Sequence, residues 1–170
     1  MNFRLLKKTN EPTSLFKKII SHPSNFNYFK ENKYLYRAIY DLCKRMPLKK
    51  RQKFSLQPTI LFFPVTKVFA CSVSPNSLNS FIFIFPDLLK KLSCVDNSEG
   101  LAILAHELGH LFHEHGKKKI STLEAQIEAD DFAFSLGLGR ELCEVLSTFK
   151  DIDSRTRLSY LTAKILTQEN

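Results

Sequence analysis

Residues 101–112 read Leu-Ala-Ile-Leu-Ala-His-Glu-Leu-Gly-His-Leu-Phe, an apolar, helix-favouring run without proline. A stretch of this kind predicts a buried helix, and Ser98 and Gly100 suit its start. Any fold the chain adopts must bury this helix together with its polar members, His106, Glu107 and His110. Two histidines four residues apart on a helix point the same way, so their imidazoles can reach one metal ion.

Glu107 stands beside that pair, placed to take a proton from a metal-bound water instead of binding the metal. The spacing is the HExxH arrangement of zinc hydrolases, in which zinc lowers the pKa of its water and the glutamate acts as general base. The competing interpretation is a structural helix whose two histidines simply find hydrogen-bond partners. The helical setting favours the metal.

The 170 residues suffice for one domain with a sizeable core, with 44% hydrophobic and 25% charged residues in the range of soluble globular proteins. The apolar runs Thr59–Val65 and Phe81–Phe85 are far shorter than a membrane span. The N-terminus carries charge but no apolar stretch of signal-peptide length. Cys43, Cys71, Cys94 and Cys143 are scattered without a tight pattern, which predicts reduced, mostly buried thiols in a cytoplasmic protein.

Charge is uneven. Residues 1–55 hold 14 Lys and Arg against 3 Asp and Glu, whereas the rest hold 11 against 14. The densest cluster, residues 44–53, can attract nucleic acid or an acidic partner weakly, or can be an ordinary solvated face. The aromatics interleaved with the preceding basic stretch, from Phe26 to Tyr40, fit an amphipathic helix better than a base-stacking platform.

Along the chain, helices are expected at Ser14–Ile20 and from Phe29 to Arg45, stopped by Pro47 and followed by a basic turn. Strands are expected at Thr59–Phe63, Lys67–Val73 and Ser80–Phe85, with turn residues between the last two. A short helix, Asp87–Leu92, and a polar loop lead to the motif helix, which Gly116 and the following lysines should end. Helices over Thr122–Leu136, Arg140–Phe149 and Arg155–Thr167 complete the pattern. One of the strands before the motif helix is expected to offer an edge to an extended substrate.

Catalytic zinc usually takes three protein ligands. His113 and His115 follow the motif, but the glycine turn of the HExxHxxGxxH pattern is absent. His113 therefore continues one turn beyond His110, too far along the axis to close a site comfortably. Both are expected to orient a ligand or to lie at the surface.

The second candidate is the helix around residues 124–133. Ala105-His106-Glu107-Leu108-Gly109-His110 followed by Glu128-Ala129-Asp130-Asp131-Phe132-Ala133 resembles the gluzincin peptidases of the HtpX, OMA and CAAX-prenyl-protease group. It is also similar to the smaller ImmA/IrrE proteins. Ser135-Leu136-Gly137-Leu138-Gly139 is nearer the HtpX group, Arg157-Leu158-Ser159-Tyr160-Leu161 is loosely similar to that group's C-terminal arginine helix, and the likeness covers about residues 66–162. The resemblance implies a third ligand four residues before Asp130, with Asp130 orienting a zinc-bound histidine. That register lands on Gln126, whose neutral amide is a poor zinc ligand beside a carboxylate. Gln126 and Asp130 are expected to face the motif histidines, and Glu128 is the leading acidic substitute for the third ligand, ahead of Glu124.

The sequence thus predicts an α+β, mainly helical zincin-like domain over residues 56–170, with a small sheet before the motif helix and a basic, mostly helical segment over 1–55. It would act as a Zn2+ metalloendopeptidase on polypeptides, with Glu107 as base and Arg157 and Tyr160 as candidates to stabilise the transition state. The alternatives are a catalytically weakened scaffold that binds a partner through its basic segment, and a sequence-tolerant nucleic-acid binder.

Overall fold

A computed structural model describes residues 12–65, 70–73 and 79–168. Four helices open it: α1 (Pro12–Ile20), α2 (Pro23–Glu31), α3 (Lys33–Arg45) and α4 (Leu48–Leu56). Two of them correct the sequence expectation. The helix expected from Phe29 to Arg45 is divided at Asn32, whose non-helical ψ of 74° breaks the spiral while its N–H caps α2 on Tyr28 and Phe29. Pro23 starts α2 from its first turn, where a missing N–H costs nothing.

The expected basic turn after Pro47 is instead α4. Pro47 ends α3 but stands just ahead of the next helix, and its carbonyl accepts from Arg51 N–H at 3.1 Å. Phe54 then anchors α4, with its ring 5.5 Å from Phe112 and 6.0 Å from Phe132. The basic cluster is partly spent on packing: Lys50 lies over Phe132 at 4.4 Å and Lys53 over Phe112 at 4.2 Å. The boundary expected after residue 55 falls inside this helix, and residues from both sides of it share one hydrophobic core.

The sheet has the order β1-β3-β2, from strands β1 (Thr59–Pro64), β2 (Ala70–Val73) and β3 (Asn79–Ile84). β3 runs parallel to β1, with Thr59 opposite Asn79, and antiparallel to β2, with Val73 opposite Phe81. Part of the strand expected over Lys67–Val73, residues 67–69, lies outside the described residues. Along β3 the pleat buries Ser80, Ile82 and Ile84 and turns Phe81 and Phe83 towards Phe63 on the other face. Asn25 ties the helices to this sheet. Its fully buried amide donates to the Ile19 and Ile60 carbonyls at 2.7 Å and accepts from Phe62 N–H at 3.0 Å.

Helices α5 (Pro86–Ser93) and α6 (Ser98–His113) follow, then a short 3-10 turn (His115–Lys117), α7 (Thr122–Phe134), α8 (Gly139–Ser147) and α9 (Ile152–Gln168). α6 is the motif helix and the centre of the molecule. From Gly100 to Leu111 every residue but His110 is buried, because α5, α7, α8 and the edge strand β2 all pack against it. Cys43, Cys94 and Cys143 are free thiols; Cys43 is buried, whereas Cys94 is exposed because it follows α5 in the loop before the motif helix. Among the described residues, no helix is long and apolar enough to cross a membrane.

Candidate metal centre

The closeness of α6 and α7 is set by Gly109. A Cβ at that position would stand 2.9 Å from the Cα and carbonyl oxygen of Ala129, so only glycine admits the observed approach. This crossing brings the polar residues of the two helices together inside an apolar shell. His106 and Glu107 are each 7% exposed and Asp130 is fully buried.

The Nε2 atoms of His106 and His110 face each other at 3.1 Å, with the rings nearly perpendicular. The other nitrogen of each ring lies against a further side chain. His106 Nδ1 is 2.7 Å from Asp130 Oδ1. Arg157 on α9 donates to both oxygens of that carboxylate, each at 2.7 Å. Burial alone would raise the Asp130 pKa, but the guanidinium and the imidazole together hold it below the ordinary value.

On the far side, His110 Nδ1 meets His115 Nδ1 at 2.7 Å, and His115 Nε2 meets Glu128 Oε2 at 2.9 Å. The same oxygen lies 3.0 Å from Lys118 Nζ and 3.4 Å from His113 Nδ1. Bonds from His115 and Lys118 pull the Glu128 pKa down to about 2. Burial, followed by the neighbouring His106 and His115, lowers the His110 pKa to about 3. His110 is therefore neutral at physiological pH, as a metal ligand must be.

The expected residues thus fall into two groups that meet where His110 contacts His115. His106, His110, Asp130 and Arg157 are drawn into one array. Glu128 lies instead against His113 and His115, and these three side chains form a compact cluster of metal-ligating type. Gln126 precedes Asp130 by one turn of α7 and shares its face. Arg157 spends its planar fork on Asp130, and Tyr160 hydrogen-bonds Asp131 at 3.0 Å, beside Lys164. Both candidates for transition-state stabilisation therefore hold acidic side chains of α7.

His115 was expected to orient a ligand or lie at the surface, and it is found against His110. The signal that could have located it is slight. Glu114 adopts a left-handed conformation, φ 56°, that ends α6 three residues after His110 and returns the chain towards it. Gly116, the residue expected to end the helix, lies inside the 3-10 turn instead.

Two imidazole nitrogens 3.1 Å apart, each ring anchored through its other nitrogen, are a donor set suited to a zinc ion. Comparison with known proteins agrees with this chemistry: the profile described as Peptidase family M48 matches residues 30–150. No curated protein and no solved structure matches the chain.

Proposed function

The chain belongs to peptidase family M48, and from that premise we propose that it is a zinc-dependent endopeptidase whose site is the His106–His110 pair with Glu107 as general base. What carries the reading is the facing of the two Nε2 atoms with both Nδ1 atoms engaged. His106 and His110 hold the ion, and the third protein position falls to Gln126, on the same face of α7 as Asp130. Glu128 Oε2 is already engaged by His115 and Lys118. Zinc, when bound, supplies Lewis acidity towards water and a peptide carbonyl.

The protein's own part is to position groups and to move protons. Asp130 and Arg157 keep the His106 ring turned so that Nε2 is its free ligand atom. Glu107 takes a proton from the attacking water and delivers it to the departing amine, so that the C–N bond breaks as the new C–O bond is completed. β2 is an edge strand packed on α6, which supports an extended polypeptide pairing along it. The finer likeness to the HtpX and CAAX-prenyl-protease group and a cytoplasmic location belong to the same proposal.

The test is metal content. Purified protein dialysed against metal-free buffer should retain zinc near one equivalent, and His106→Ala should retain none. Full zinc content in His106→Ala would place the ion elsewhere.

A further inference from the structure

A neutral imidazole has one N–H and one lone pair, so its ligands dictate where the proton sits. If His110 gives its Nε2 lone pair to zinc, its proton lies on Nδ1, 2.7 Å from His115 Nδ1. His115 must then accept with Nδ1 and carry its own proton on Nε2, 2.9 Å from Glu128 Oε2. An ionised carboxylate only accepts, and Lys118 balances it from 3.0 Å. Every contact in this chain then holds one proton, and no other arrangement of two neutral rings achieves that.

The alternative for His115 is to bind a second ion together with His113 and Glu128, the cluster being compact enough to do so. Metal on His115 Nε2 would move its proton to Nδ1, where it would face the Nδ1 proton of zinc-bound His110 across 2.7 Å. Two protons do not fit that gap. The backbone also favours the first arrangement. Glu114 accepts a left-handed φ of 56°, rare for a residue with a side chain, and the turn it makes brings His115 under His110 with only 8% of its side chain exposed.

We propose that His115 is a positioning residue for the zinc ligand His110, and that Glu128 acts on the metal only through His115. The inference rests on the zinc site proposed above. It gives His110 an anchor of a different construction from the direct carboxylate behind His106, and it gives Glu128 a role other than ligation. Outer partners of metal-bound histidines typically change metal affinity about 10–100-fold.

The test uses the full chain, with zinc affinity measured by competition with a chromophoric chelator. His115→Ala should weaken zinc binding about 10–100-fold. His115→Gln, whose amide oxygen can accept the His110 N–H, should recover part of the loss. Glu128→Ala should weaken binding in the wild-type background and add nothing in the His115→Ala background, while His113→Ala should leave affinity unchanged. In zinc-loaded wild type the His110 ring N–H should appear as a downfield proton resonance that moves in Glu128→Gln and is lost in His115→Ala.

Three results would overturn the proposal: unchanged affinity in His115→Ala; an equal penalty for Glu128→Ala in both backgrounds, which would make Glu128 a direct ligand; or a second equivalent of zinc that disappears in His113→Ala. Wild type that binds zinc and loses it in His106→Ala, with His115→Ala unaffected, sinks this inference alone. Wild type that binds no zinc sinks the proposed function with it.

Discussion

Behind His106 stands Asp130, fully buried and doubly bonded to an arginine from α9, whereas behind His110 stand His115 and a Glu128–Lys118 pair that is a third or more exposed. The first anchor joins two helices far apart in sequence, so it forms only when the core forms. The second is assembled around the turn that follows α6 and reaches Glu128 at the middle of α7, 13 residues from His115. Similar contact distances therefore conceal different energetics: one array is part of the fold, and the other is largely a local adjustment of the site. A buried ion pair broken on one side leaves an uncompensated charge in the core, while a solvated pair loses almost nothing.

The two anchors should differ most in Arg157→Leu. It strands the Asp130 carboxylate and should lower stability by about 3–5 kcal/mol in chemical denaturation; a loss no larger than that of a surface pair would show that Asp130 is not structurally committed. A smaller effect is expected from Gln126→Glu, which puts a carboxylate at the proposed third position. Zinc should bind at least about tenfold more tightly, roughly 1.4 kcal/mol, in the chelator assay. No gain would mean that Gln126 does not face the ion.

Acidification probes the two histidines whose pKa values are lowered. His110 and His113 titrate near 3 and 4 in the folded protein, against 6.5 as the ordinary value, chiefly because they are buried. Between those limits the unfolded chain binds more protons, so metal-free protein should lose stability as pH falls from about 6.5 towards 3. A flat profile of unfolding midpoint against pH over that window would contradict the burial of these rings. The smallest effect belongs to Lys118→Ala, which should change stability by at most about 1 kcal/mol, since the pair it breaks is well exposed. A larger cost would erase the contrast between the two anchors.

Much of the candidate site was legible because it rests on helical periodicity. The apolar run of α6 demanded burial, the four-residue spacing put His106 and His110 on one face, and the same spacing related Gln126 to Asp130. What escaped depends on single backbone choices or on contacts between distant segments. A left-handed glutamate has no sequence signature, so the return of His115 to His110 was hidden. Pro47 reads equally as the end of one helix or the threshold of the next, and only the burial of Phe54 against Phe112 and Phe132 decides it. Asn25, in a polar stretch, gave no hint that its amide would join α1 to β1. Arg157 was legible as a late cation, but not its partner Asp130, which lies 27 residues away in sequence.

In the proposed mechanism Glu107 moves the proton at a zinc site built on His106 and His110. Cleavage of an unfolded protein by zinc-loaded wild type and by Glu107→Gln, with zinc content measured on the same samples, tests it most directly. Glu107→Gln should keep its zinc and lose cleavage by at least about 100-fold. Cleavage that persists at the wild-type rate in zinc-loaded Glu107→Gln would contradict it.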